Sequence, residues 1–136
     1  MIKAFIDTSV ILRLLIKDDE AKGDACSKLI KNAKSDGIAL HIPPVTVLEI
    51  VWVLEKVYKY KKTAIREIIE ALLNTPDLRV DNEPLFRKTI LLYEKKNIKF
   101  ADAVMGSWGL EKGINIVYTY DEKDFKRIDG LDVRSL

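Results

Sequence analysis

Four acidic residues stand where an apolar run gives way to a helical or turn-forming stretch. They are Asp7, Glu49, Asp102 and Asp121. In an open α/β sheet, ligands bind in the crevice beyond the carboxyl ends of the strands. Four carboxylates gathered there would repel one another and would stay ionised only around a cation. The positions of these acids therefore predict a metal site.

The types of ligand available narrow the choice of metal. A carboxylate-rich, all-oxygen site suits Mg²⁺ or Mn²⁺. Zinc does not fit, because His41 is the only histidine and Cys26 the only cysteine. The same scarcity disfavours a Ser-His-acid triad, which cannot be assembled without a well-placed histidine. The chemistry left open is metal-assisted: one or two ions activate water and stabilise charge on a phosphodiester.

Each acid also has an ordinary structural explanation. Asp7 is a good N-cap, and Thr46 with Glu49 matches the S/T-x-x-E capping box. Asp102 lies in the first turn of a predicted helix, and Asp121 is suited to a turn. Joint position favours the metal site, because independent caps would not all fall at one rim of a sheet. The apolar surroundings of Glu49 also make an uncompensated charge costly there.

Strand and helix signals alternate along the whole chain, which predicts right-handed crossovers and a mostly parallel sheet. The predicted strands are Ile2–Ile6, Ile38–Ile42, a short one at Leu78–Val80, Ile114–Tyr118 and one near Leu131–Val133. The predicted helices are Ser9–Ile16, Glu20–Ala33, Thr46–Tyr58, Thr63–Leu73, one from Asn82 to Lys95, and Phe100–Lys112.

Composition indicates a folded protein in a reducing compartment. The 136 residues are 48% hydrophobic and 32% charged, with a formal net charge of +2, so any basic surface must be local. A single cysteine excludes an internal disulfide, which favours the cytoplasm. No apolar run approaches the roughly 18–20 residues of a membrane span, so we expect no membrane association.

Four motifs in this order resemble PIN domains and, within that family, the VapC toxins of toxin–antitoxin pairs. The motifs are Ile6-Asp7-Thr8-Ser9-Val10, Glu49, Phe100-Ala101-Asp102-Ala103, and Thr119-Tyr120-Asp121 followed by Asp124-Phe125. The resemblance covers the whole chain. It implies a single domain over residues 1–136 with a three-layer α/β/α fold around a mostly parallel central sheet.

The resemblance also implies an activity and roles for particular residues. It implies an RNA endonuclease, normally silenced by an antitoxin, in which the four acids hold Mg²⁺ or Mn²⁺. Thr8, Ser9 and Thr119 match hydroxyl positions that support such a site. The family often has its next acid two residues after the fourth, whereas here Asp124 stands three residues after Asp121. We expect Asp124 to play a supporting part.

Basic residues predict where a nucleic-acid backbone would bind. Lys59, Lys61 and Lys62 are interleaved with tyrosines able to stack on unpaired bases, and Lys99 lies close to Asp102 in sequence. A solvated helix face is the alternative explanation for the first group.

The predicted helix Thr46–Tyr58 has more apolar faces than one core contact covers, with Trp52 the residue of most interest. This predicts a homodimer, or cover by an antitoxin segment. Complete burial inside a three-layer fold remains the alternative.

Two other functions remain open at this point. One is a PIN nuclease in RNA processing or DNA metabolism without a dedicated antitoxin. The other is a Mg²⁺-binding receiver-like signalling domain, which also gathers acids at strand ends. The second fits less well, because the first strand offers only Asp7 and no lysine follows the last strand at the expected place.

Overall fold

The computed structural model describes residues 2–136, which form two compact units. The first unit extends to Glu83 and the second runs from Pro84 to Leu136. The first unit contains β1 (Ile2–Phe5), α1 (Thr8–Leu15), α2 (Glu20–Ser35), β2 (Ile38–Ile42), α3 (Pro44–Lys56), α4 (Lys62–Leu73) and β3 (Leu78–Val80). The second contains α5 (Glu83–Lys95, whose first residue ends the first unit), α6 (Phe100–Glu111), β4 (Ile116–Thr119), α7 (Glu122–Phe125) and β5 (Asp132–Ser135).

Every strand pairing is parallel, which confirms the α/β class. In the first unit the strand order is β1-β2-β3, and the register pairs Phe5 with His41 and Ile42 with Val80. Parallel neighbours require crossover connections, and here helices α1 and α2, then α3 and α4, provide them. In the second unit β4 pairs with β5, with Val117 opposite Val133.

The core of the first unit is built from one face of each helix and from β2. In α3 the buried residues recur with helical spacing, at Val47, Ile50, Val51 and Leu54. They leave the opposite face to Glu49 and to exposed apolar side chains. Other fully buried side chains are Ile11, Ile42, Ile65, Ile69 and Leu72.

Tight packing fixes α6 in the second unit. Tyr93 of α5 meets Phe100 of α6 edge to face, with ring centroids 5.4 Å apart. Farther along, a Cβ on Gly109 would lie 2.7 Å from the carbonyl oxygen of Ile114, so this position requires glycine. The helix that carries Asp102 is therefore held at both ends.

Some element boundaries differ from the sequence prediction. The third helix begins at Pro44 rather than Thr46, because proline is well suited to the first helical position. Thr46 therefore lies inside the first turn, and the predicted capping box with Glu49 is not formed. The fourth strand begins at Ile116, and the short helix α7 was not predicted. Among the described residues, no helix is both long and apolar enough to cross a membrane.

Candidate metal centre

Asp7 lies two residues after the end of β1 and caps helix α1. Its Oδ1 accepts hydrogen bonds from the Ser9 hydroxyl at 2.6 Å and from the Ser9 backbone N–H at 3.1 Å. The hydrogen bond from the Ser9 side chain is the main cause that lowers the pKa of Asp7. Asp7 is exposed, so its carboxylate is both ionised and accessible at neutral pH. The cap explanation and the ligand explanation are thus compatible.

The other predicted residues of the first unit occupy accessible positions. Glu49 is exposed on α3, so the sequence argument that its charge would be buried was wrong. The next residue, Ile50, is buried in the core, while Glu49 lies on the outer face. Thr8 is the first residue of α1 and is half-buried. His41 is a residue of β2, and its Nε2 atom is buried without a hydrogen-bond partner among the described residues.

The second unit brings three acids and a lysine together. Asp102 lies in the first turn of α6, and Asp121 occupies the N-cap position of α7 without a side-chain capping hydrogen bond. Asp124, in α7, is 8% exposed, and its Oδ2 accepts the backbone N–H of Lys99 at 2.9 Å. The Nζ atom of Lys99 lies 3.7 Å from Oδ2 of Asp121. The sequence correctly placed Lys99 beside the acids.

The surroundings of Asp102 disfavour the charged form of its carboxyl group. Burial is the main cause that raises the pKa of Asp102, and the negative charge of Asp124 raises it further. Lys99 opposes these effects, while the charge of Asp121 and a hydrogen bond with the Asp124 side chain add to them. A bound cation would reverse the balance, because an opposite charge nearby favours the carboxylate.

Thr119 holds the segment that carries Asp121. Its hydroxyl oxygen accepts the backbone N–H of Asp121 at 2.9 Å, and the hydroxyl donates to the Asp121 carbonyl at 3.1 Å. This double contact fixes the turn after β4, which agrees with a supporting part for Thr119. Ser9 plays the corresponding part for Asp7.

The acids fit a divalent cation in chemistry, although they do not form a finished cage. Their oxygens are the ligands that Mg²⁺ and Mn²⁺ prefer, and the like charges around Asp102 favour a cation. Within residues 2–136, no group of three or more His, Cys, Asp or Glu side chains is arranged to hold an ion as it stands. Mg²⁺ commonly keeps several waters and binds through one or two carboxylates, which suits such an open arrangement.

The predicted basic group lies between α3 and α4. Lys59 and Lys61 are exposed, and Lys59 has a left-handed backbone, with φ of 58°. Lys62, the first residue of α4, is half-buried. The adjacent tyrosines Tyr58 and Tyr60 have ring centroids 5.8 Å apart, and the Tyr58 hydroxyl donates to Asp18 at 3.1 Å.

Comparison with known proteins defines the class. The PIN domain model matches residues 4–131, which include all four predicted acids. The chain belongs to the PIN domain family, which confirms the resemblance found in the sequence and excludes the receiver-like alternative.

Two known proteins match nearly the whole chain. A VapC ribonuclease from Aquifex aeolicus (strain VF5) is 28% identical over 123 residues, which is 90% of each chain. Among solved structures, VapBC2 from Rickettsia felis bound to a DNA fragment from their promoter is 18% identical, with a TM-score of 0.39. That match covers 100% of this chain and 99% of the other.

Proposed function

We propose that this protein is a metal-dependent endoribonuclease, hydrolysing RNA phosphodiester bonds as the toxin of a toxin–antitoxin pair. The observation that carries the proposal is the match to the PIN domain family over residues 4–131, with acids at the four expected positions. Similarity to a protein named VapC ribonuclease over 90% of the chain supports RNA as substrate. The antitoxin partner is proposed from the resemblance of the sequence motifs to the VapC toxins.

In this proposal the whole chain, residues 1–136, acts as one nuclease domain. Asp7, Glu49, Asp102 and Asp121 hold Mg²⁺ or Mn²⁺ together, Ser9 and Thr119 orient two of these acids, and Thr8 and Asp124 support them. When bound, the ion would activate a water molecule and stabilise charge on the scissile phosphodiester. Lys99, Lys59, Lys61 and Lys62 bind the RNA backbone. The protein acts in the cytoplasm, in line with its single cysteine.

Each of the four acids should be individually required for RNA cleavage. We expect RNA cleavage that depends on Mg²⁺ or Mn²⁺ and disappears with a chelator. The variants Asp7→Asn, Glu49→Gln, Asp102→Asn and Asp121→Asn should each remove cleavage. Matched controls are Glu67→Gln, an exposed helical glutamate, and Asp129→Asn, an exposed aspartate of the second unit. Both controls should cleave normally.

If the four acids share one metal centre, removing any one of them should abolish metal binding. We expect Mn²⁺ binding, measured from the electron paramagnetic resonance signal of the free ion, to be lost in Asp7→Asn as completely as in Asp102→Asn. If each variant instead removed only part of the bound Mn²⁺, the acids of the two units would bind separate ions. Cleavage that persists in a chelator, or in Asp7→Asn, would refute the proposed mechanism.

A further inference from the structure

Helix α6 begins without a cap from its own sequence. Lys99 occupies the N-cap position and makes no side-chain hydrogen bond to the helix, since an ammonium group cannot accept one. The first N–H groups of a helix lack partners within it and need acceptors from elsewhere. This requirement falls one turn away from Asp102, whose carboxylate must be placed accurately for the proposed chemistry.

The missing acceptor comes from Asp124, 25 residues later in the chain. Its Oδ2 accepts the backbone N–H of Lys99 at 2.9 Å. Because the acceptor is a carboxylate, this contact is of the stronger, charge-assisted kind. The side chain is 8% exposed and precedes Phe125, which packs with Ile98 and Ile128 in the core of the second unit. Asp124 is therefore held rigidly.

Arg127 holds the other side of the same connection. Its Nη1 donates to the carbonyl oxygen of Asn97 at 3.0 Å and to that of Lys96 at 3.4 Å. Asn97 has a left-handed backbone, with φ of 52°, as a chain leaving a helix often does. In the segment 96–99, Asp124 thus accepts from the backbone N–H of Lys99, while Arg127 donates to the backbone carbonyls of Lys96 and Asn97.

We propose that Asp124 is a positioning residue, which caps α6 from a distance and so holds the Asp102 carboxylate beside Asp121, rather than a metal ligand. This inference rests on the proposed function. Asp124 is buried, its Oδ2 accepts the Lys99 N–H and its side chain contacts Asp102, whereas the Asp121 side chain is 66% exposed and has the Lys99 ammonium beside it. Asp124 stands three residues after Asp121, one more than is usual in PIN domains, which is consistent with separate roles for the two acids.

The two roles predict opposite behaviour for a conservative variant. Asp124→Asn keeps an oxygen of the same reach, so it can still accept the Lys99 N–H, while Asp124→Ala removes the acceptor. A positioning residue tolerates the amide, whereas a metal ligand loses the charge it needs. Asp124→Ala should raise the Mn²⁺ concentration for half-saturation by about tenfold, as loss of supporting contacts commonly does. Asp124→Asn loses the negative charge beside Asp102 but keeps the acceptor, so it should raise the midpoint clearly less than Asp124→Ala does.

The experiment combines Mn²⁺ binding by electron paramagnetic resonance with amide hydrogen exchange of Lys99 by nuclear magnetic resonance, on the full chain. In Asp124→Ala the Lys99 amide should exchange faster, and in Asp124→Asn it should remain protected. Ile128→Val is the matched control, because it weakens the same core without touching the cap. It should lower the melting temperature while leaving the Mn²⁺ midpoint unchanged.

Two results would overturn the inference. If Asp124→Asn lost Mn²⁺ binding as fully as Asp102→Asn, Asp124 would be a ligand. If Asp124→Ala left the Mn²⁺ midpoint unchanged, the cap would serve stability alone. Should the wild type bind no Mn²⁺ and cleave no RNA, the proposed function fails. The Lys99 exchange rates would even then report separately on the cap.

Discussion

The Nζ atom of Lys99 lies 3.7 Å from Oδ2 of Asp121, an ion pair between two exposed side chains in the acidic group of the second unit. An exposed pair of this kind contributes little to stability, about 0–1 kcal/mol. The ion pair matters because the Lys99 ammonium group and the proposed metal ion would compete for the Asp121 carboxylate. Lys99 is also the best placed of the predicted RNA-binding lysines.

Lys99→Gln should therefore separate metal binding from RNA binding. We expect a lower Mn²⁺ midpoint, because the acids lose a competing cation, and a several-fold higher KM for RNA, because a phosphate contact is lost. Lys95→Gln, an exposed lysine at the end of α5, is the control and should change neither. Mn²⁺ titrations and cleavage kinetics at fixed ionic strength measure the two effects. An unchanged KM would remove Lys99 from the RNA-binding surface.

Asp102→Asn should stabilise the metal-free protein at neutral pH. The pKa of Asp102 is raised by burial and by nearby carboxylates, so its ionisation works against folding. The folded state binds this proton more tightly than the unfolded state, and stability is lost as the pH rises through the raised pKa. The variant avoids this loss, and its melting temperature should rise by about 4 °C for each kcal/mol relieved.

The pH dependence distinguishes this effect from a general gain in packing. The advantage of Asp102→Asn should be largest near neutral pH and should shrink as the pH approaches 3.8, the ordinary value for the carboxyl. Saturating Mn²⁺ should stabilise the wild type but not the variant. Asp129, whose side chain is 97% exposed, provides the control. Asp129→Asn should melt like the wild type at every pH and should still be stabilised by Mn²⁺. Thermal melts across pH measure both, and a constant difference at every pH would contradict the explanation.

Ser9→Ala should raise the pKa of the Asp7 carboxyl toward its ordinary value of 3.8. The Ser9 hydroxyl is the main cause that lowers this pKa, and the variant removes that hydrogen bond. The Asp7 carboxylate should then be protonated earlier as the pH falls, while cleavage near pH 7 changes little. Titration of the Asp7 carboxyl by nuclear magnetic resonance in the metal-free protein tests this, with Ser27→Ala on α2 as control. An unchanged Asp7 titration would mean that the Ser9 hydroxyl does not lower its pKa.

Trp52 should lie in a contact between two copies of the chain. It is 58% exposed on α3, and Val45 on the same helix is 60% exposed. Because two-fold symmetric dimers are the commonest soluble assemblies, we expect a homodimer that covers this face. Trp52→Glu should give a monomer by sedimentation, whereas Leu29→Glu, an exposed apolar position on α2, should not. A wild-type monomer at tens of micromolar would contradict the prediction.

The parts of the fold that follow local rules could be predicted from the sequence. Apolar runs ending in Asp7 and near Asp121 were enough to place strands and the acids beyond them. The start of α3 was missed because Thr46 and Glu49 imitate a capping box, while Pro44 actually occupies the first helical position. The contact from Asp124 to Lys99 spans 25 residues and leaves no periodic signal, so only the structure could reveal it.

An antitoxin that inserts a basic side chain among the acids should compete with the metal. Asp102 is already destabilised by neighbouring carboxylates, and an arginine would relieve that repulsion much as a cation does. By reciprocal linkage, each ligand then weakens the other to the same degree. Binding of an arginine-containing antitoxin peptide should therefore weaken as Mg²⁺ or Mn²⁺ rises, and calorimetry across a metal series measures this. The same peptide with alanine in place of arginine should bind independently of metal. If the arginine peptide also bound independently of metal, inhibition would act by blocking access of RNA alone.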